Sequence, residues 1–268
     1  MSRSAQFLAC VLTLTVIGCA GSGSTPSKST GGSGGSNATG QPPRTDPLYS
    51  LTLMRQGSVL LQQQQYDEAL ERFNQANNIA PGNATVHNMI GICYLRKREY
   101  DQALQAFNHS LELVPSYSDA RNNRGTAYLS LGQLRLAEVD FIAVLGDSTY
   151  PHRYQVYVNL GMTYYRQGQL GAAEENFRKA VSAPFPVFEA FVGLSDVLVD
   201  EGRAEEALEV LEDAKLQFPD QIGAAYELGK LLMEMGREKE ARPYLEEVIS
   251  KDPGSDRARL AAGMLDST

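Results

Sequence analysis

The sequence predicts an all-α protein, a superhelix of six helix-turn-helix repeats closed by a C-terminal capping helix. The first observation is a period. Small residues recur at Gly57, Gly91, Gly125, Gly161, Ser195 and Gly229, in steps of 34, 34, 36, 34 and 34. The second is a set of fixed offsets. Twelve residues after each small residue stands an alanine (Ala69, Ala103, Ala137, Ala173, Ala207, Ala241), and four further on a large apolar residue (Phe73, Phe107, Phe141, Phe177, Leu211, Leu245). The third is that most units close on proline, at Pro81, Pro115, Pro184, Pro219 and Pro253.

A 34-residue period with small, small, large and proline at these offsets resembles the tetratricopeptide repeat, and the match covers about three quarters of the chain. The pattern has a packing logic. Small residues let two antiparallel helix axes approach closely, and proline stops the second helix because it cannot continue the hydrogen-bond ladder. The aromatic or leucine is expected to fill the space between neighbouring units. One repeat buries too little apolar surface to stand alone, so stacking builds a continuous core. The resemblance implies a tetratricopeptide-repeat superhelix with a concave face made mainly by the first helix (A) of each pair.

Taken in order, residues 1–18 read as a lipoprotein signal peptide. Arg3 supplies the positive end, and residues 7–17 form an apolar stretch too short to span a bilayer. Val16-Ile17-Gly18-Cys19 resembles the bacterial lipobox, which implies cleavage before Cys19 and its acylation. Residues 19–49 then run through Gly, Ser, Thr and Pro, the composition of a flexible tether, which fits a chain anchored upstream. Each buried methylene is worth about 0.8 kcal/mol, so several acyl chains would hold the protein to a membrane. Residue 20 is alanine, where an aspartate retains lipoproteins at the inner membrane of enteric bacteria. That resemblance implies the periplasmic face of the outer membrane. Of three cysteines, Cys10 would leave with the signal and Cys19 would carry lipid, so no internal disulfide is expected. Cys93, two residues after Gly91, reads as a buried structural thiol.

The repeats follow at 50–83, 84–117, 118–153, 154–187, 188–221 and 222–255, with the capping helix and tail at 256–268. The first helix is expected from Leu51, and Pro243 is expected to kink the last helix B or move its start.

Repeat three departs from the pattern: it is two residues longer, and its closing proline is delayed. The join contains Asp147, Tyr150, Pro151 and Arg153, followed by Val156, Asn159, Leu160 and Gly161. This run resembles the "D-x-x-YP-x-R-x-x-V-x-x-NLG" segment of the type IV pilus biogenesis and stability lipoproteins, the pilotins, at the same point of a six-repeat array. Asn-Leu-Gly is generic to helix A, so Tyr-Pro-x-Arg is the specific portion. It reads first as a turn that resets repeat stacking and second as a partner contact. The resemblance implies a lipoprotein that binds the secretin subunits of the pilus and helps them reach or assemble in the outer membrane.

A formal charge of −8 argues against phosphate-backbone binding, which needs basic stripes. His87, His109 and His152 are scattered, and no cysteine–histidine set has zinc spacing. Phosphate-cradling glycine loops and serine-nucleophile elbows are also missing. The sequence therefore predicts no catalytic residue, cofactor or small-molecule substrate, and a protein client as partner. In the tetratricopeptide fold the inward positions of helix A fall two, five, nine and twelve residues into each unit. They give Leu51, Met54, Ser58 and Leu61, then Asn88, Ile92 and Leu95, then Asn122, Thr126 and Leu129. They continue with Val158, Met162 and Tyr165, then Val192 and Val199, and finally Tyr226 and Met233. An apolar groove rich in Met and Tyr would suit an amphipathic helix or an extended segment. The alternative to a pilotin is a periplasmic scaffold for another envelope complex, such as peptidoglycan synthesis.

Overall fold

The computed structural model describes residues 46–266, and among them the regular elements are all helices. Cys19, the signal peptide and nearly all of the tether lie outside the described residues. The described chain divides into two compact units, 46–148 and 149–266.

The first unit holds three helix pairs: α1 (Pro47–Gln62) with α2 (Tyr66–Ile79), α3 (Ala84–Arg96) with α4 (Tyr100–Leu113), and α5 (Ser118–Ser130) with α6 (Leu134–Leu145). Helix α1 starts ahead of Leu51. Asp46 caps it by accepting the Leu48 N–H at 2.9 Å, and Pro47 occupies the first turn, where its missing N–H costs nothing. The turns inside the pairs use one left-handed residue: Gln64, Arg98 and Gly132 have φ of 62°, 63° and 73°. The following N–H then reaches back to a carbonyl in the last helical turn, as Gln65 does to Leu60 and Gln133 to Tyr128.

Packing within each pair explains the period. Phe73, Phe107 and Phe141 are fully buried. A Cβ built on Gly57, Gly91 or Gly125 would lie 2.7, 2.5 or 2.7 Å from the corresponding ring. Each ring therefore fills the close approach of the two helices of its own repeat. This corrects the expectation that it sits between neighbouring units: helix B supplies the knob, and the glycine of helix A is its hole. Cys93 is fully buried in the same core, and burial pushes its thiol up to about 12. A thiolate is the reactive species, so Cys93 is expected to resist maleimide in the folded chain at neutral pH and to react in urea. Peptide mapping reads this, and labelling of native Cys93 at the unfolded rate would contradict it.

The second unit holds α7 (Arg153–Arg166) with α8 (Leu170–Val181), α9 (Phe188–Asp200) with α10 (Ala204–Gln217), α11 (Ile222–Glu234) with α12 (Glu238–Lys251), and α13 (Asp256–Asp266). Phe177 spans two repeats here. A Cβ on Gly161 of its own pair would lie 2.9 Å from the ring, and one on Gly193 of the next pair 2.4 Å. Pro243 lies inside α12 without moving its start from Glu238, and it is exposed, so its ring displaces no core packing. Helix α13 packs on α11 and α12 and buries Ala258 and Ala261.

Candidate functional site

In the first unit the expected groove residues divide by depth. Leu51 is exposed (58%), Met54 and Leu61 are half-buried, and Asn88, Ile92, Leu95 and Asn122 are buried. In the second unit Val158 and Met162 are buried, and Tyr165 is half-buried. The expectation that Asn88, Ile92, Leu95, Asn122, Val158 and Met162 line an open groove is thereby corrected. Neighbouring helices cover Ile92, Leu95, Val158 and Met162, which serve as core. The apolar positions within reach of solvent are Leu51, Met54 and Leu61 in the first unit, and Tyr165, Val199 and Met233 in the second.

The buried Asn88 of the first unit is tied to other side chains. Asn123 donates to the Asn88 carbonyl oxygen at 3.0 Å, and the Asn88 amide donates to the Tyr117 hydroxyl at 3.5 Å. The hydroxyls of Ser58, Thr126 and Ser130 donate to carbonyls one turn back in their own helices. Asn83 reaches the Met54 sulfur at 3.7 Å. Beside Leu51 and Leu61, this makes a surface that is apolar at its reachable points, with hydrogen-bonded Asn88, Ser58 and Thr126 among its polar groups. Such a surface favours an amphipathic segment, whose apolar side chains bind without stripping water from unpaired polar groups.

Repeat three adds a buried ion pair. Arg124 donates to both oxygens of Asp140, at 2.8 and 2.7 Å, and to the Asn108 side chain at 2.8 Å. Asp140 is 2% exposed. Hydrogen bonds to the Asp140 carboxylate hold the Arg124 guanidinium above its usual range. Arg124 stands where the other repeats carry Gln56, Ile90, Leu160, Leu194 and Leu228. That substitution of charge for an uncharged residue was the signal in the sequence for the pair.

The second unit is more charged. The Tyr165 hydroxyl donates to Asp200 at 2.6 Å. Lys230 pairs with Glu227 at 3.4 Å. Burial pulls its ammonium down, but Glu227, Asp196 and Glu234 outweigh that and hold it above the usual value. Glu189 is half-buried, and burial raises its carboxyl above the normal range. The folded chain thus holds this proton more tightly than the unfolded chain. The stability contribution is full below the carboxylate range, falls as pH rises through it, and stays lowered above. Glu189→Gln is expected to raise the urea midpoint at neutral pH and to lose that advantage in acid. A constant difference across pH would refute it.

At the join, Asp147 accepts from the Ser118 hydroxyl at 2.7 Å, within the first unit. In the second unit Tyr150 is 7% exposed and its ring meets His152 edge-on at 5.7 Å. Arg153 lies over the Tyr157 ring at 6.0 Å, and Pro151 is exposed. His87 and His109 meet edge-on at 4.2 Å, but among the described residues no three metal-ligating side chains are grouped. Nor is any described helix long and apolar enough to cross a membrane.

Family models described as tetratricopeptide repeat match residues 48–116 and 198–265, and a third matches 88–146, 122–186 and 158–225 in overlapping copies. The fold is similar to the crystal structure of PilW, a widely conserved type IV pilus biogenesis factor. The TM-score is 0.72 at 21% identity, covering 80% of this chain and 98% of that one. PilF of Pseudomonas aeruginosa gives 0.67 at 19% identity, covering 81% and 97%. YrrB, a repeat protein with an unusual peptide-binding site, gives 0.50 at 21% identity, covering 71% and 97%. Human protein O-mannosyl-transferase TMTC1 is 31% identical over 97 residues, 36% of this chain. The chain spans 11% of that relative's length.

Proposed function

The chain belongs to the tetratricopeptide-repeat family, a protein-binding scaffold, and from that premise we propose that it is an outer-membrane-anchored pilotin. It acts by binding and not by catalysis, and its client is the secretin subunit of the type IV pilus. The observation that carries the reading is the join, where Asp147, Tyr150, Pro151 and Arg153 repeat the pilotin run at its place in a six-repeat array. Two further observations support it. The lipobox at Cys19 with its tether is the arrangement such a protein needs. The shared fold runs over nearly the whole length of PilW and PilF.

Three parts divide the work. Acyl chains on Cys19 supply membrane affinity, the tether supplies reach, and the first unit holds an amphipathic segment of the client against Leu51, Met54 and Leu61. Affinity purification of the acylated chain from its own cells, read by mass spectrometry, tests this. Recovery of a secretin is expected, and it should drop at least tenfold in Leu51→Asp/Met54→Asp while circular dichroism stays unchanged. Recovery of cell-wall synthases without a secretin would overturn the reading in favour of a scaffold. Cys19→Ser should leave the helical fold intact and mislocalise the secretin, and normal secretin rings in that variant would remove the anchor from the mechanism.

A further inference from the structure

The outer face of α6 is unlike that of any other second helix. Leu136, Val139 and Ile142 are 48%, 63% and 50% exposed. At the place of Val139 the other repeats carry Glu71, Gln105, Glu175, Glu209 and Pro243; at the place of Ile142 they carry Asn74, Asn108, Arg178, Glu212 and Glu246. An α-helix turns about 100° per residue, so Arg135, Leu136, Val139, Ile142 and Gly146 share one stripe, and all five are exposed. Scattered surface leucines are ordinary, but a contiguous aliphatic stripe at one repeat of six marks an interaction surface.

We propose that this stripe binds a second copy of the same chain, as an antiparallel α6–α6 pair around a two-fold axis. The complementarity of Arg135 to the Gly146–Asp147 end of the same helix selects that occupant, and the net charge restricts where two copies can meet. The chain carries a net charge of −8, so two copies repel unless they meet through an uncharged face. Helix α10 would bring Glu205, Glu206 and Glu209 against themselves, whereas the α6 stripe carries one charge, Arg135. Setting the axis between Val139 and Ile142 places Val139 of each copy on Ile142 of the other. The same register brings Arg135 of each copy onto Gly146 of the other. There the missing side chain leaves room, and the guanidinium meets the negative end of the helix dipole and the Asp147 carboxylate. An isologous contact of this kind closes on itself and forms a dimer without growing into a fibre. One helix pair buries well under the ~1,200 Å² of a stable interface, so the dimer dissociates on dilution.

Sedimentation velocity of the full chain at increasing loading concentration tests this, with Val139→Glu and Arg135→Glu beside it. Val139 is exposed, and glutamate is the residue other repeats carry at that place, so the variant keeps its fold; circular dichroism checks it. The wild type is expected to shift from monomer to dimer as concentration rises. Val139→Glu should remain monomeric, and Arg135→Glu should dimerise at least fivefold more weakly. An equal mixture of Val139→Cys and Ile142→Cys chains should cross-link faster than either alone, with the parent chain giving the background of its native cysteines. A wild type that stays monomeric throughout, or a dimer that survives Val139→Glu, overturns the proposal. So does a monomer whose stripe instead binds lipid vesicles or the client. Secretin recovery by Val139→Glu reports separately on the pilotin reading.

Discussion

Phe107→Ala is expected to lower the free energy of unfolding by about 3–5 kcal/mol, the range for truncating a fully buried phenylalanine. The ring has no exposure, and its edge sits where a Cβ on Gly91 would stand 2.5 Å away. The two helices of repeat two are held at their separation by many other contacts, so they cannot close over the space the ring leaves. The loss therefore combines the transfer energy of the ring with the cost of a cavity. Equilibrium urea unfolding followed by circular dichroism measures it, and the expected signature is a lower midpoint with an unchanged slope. A loss below about 1 kcal/mol would mean that the helices collapse onto each other, and the glycine–phenylalanine pair would then not be the spacer of the repeat. Gly91→Ala approaches the same contact from the other side and is expected to cost about 1–3 kcal/mol by overpacking.

Asp140→Ala is expected to cost about 3 kcal/mol, the lower end for removing one partner of a buried ion pair. Asp140 is 2% exposed and accepts both hydrogen bonds from Arg124. Removing it leaves the guanidinium half-buried with Asn108 as its remaining neutral acceptor in this group. Arg124 is 21% exposed and can turn partly toward water, which places the estimate at the low end. The discriminating variant is the double change Arg124→Leu/Asp140→Ala, which installs residues of the kind other repeats carry at these places. It should recover most of the loss, because two apolar groups need no partner. A double variant as unstable as Asp140→Ala would show that the pair contributes by shape and not by charge.

Much of the fold was legible in the sequence because repetition multiplies a weak signal. One Gly-Ala-Phe-Pro pattern is common in any helical protein, but six copies at one spacing leave few alternatives to a stacked array of helix pairs. The roles of Phe73, Phe107 and Phe141 were misplaced, while Phe177 does reach the next repeat, since a fixed offset in sequence says that two residues pack without saying which neighbouring helix receives the ring. The start of the first helix was also misplaced. A capping aspartate followed by proline at 46–47 was readable, but the tether composition runs up to it.

The candidate surface was legible only in part. Helical spacing assigned Leu51, Met54, Leu61, Ile92, Leu95, Val158 and Met162 to one class of position, and that geometry holds for a helix taken alone. Burial is a property of the neighbours. Leu51, in the first described repeat, stays 58% exposed, whereas Ile92 in the second falls to 1%. The pairing of Arg124 with Asp140 and of Tyr165 with Asp200, and the bare aliphatic face of α6, likewise depend on which helices lie alongside. By itself the sequence determined the helix-pair repeat and its count, because these follow from local spacing repeated along the chain. Tertiary structure alone decided which of those side chains a partner can reach, because exposure is set by atoms far away in sequence.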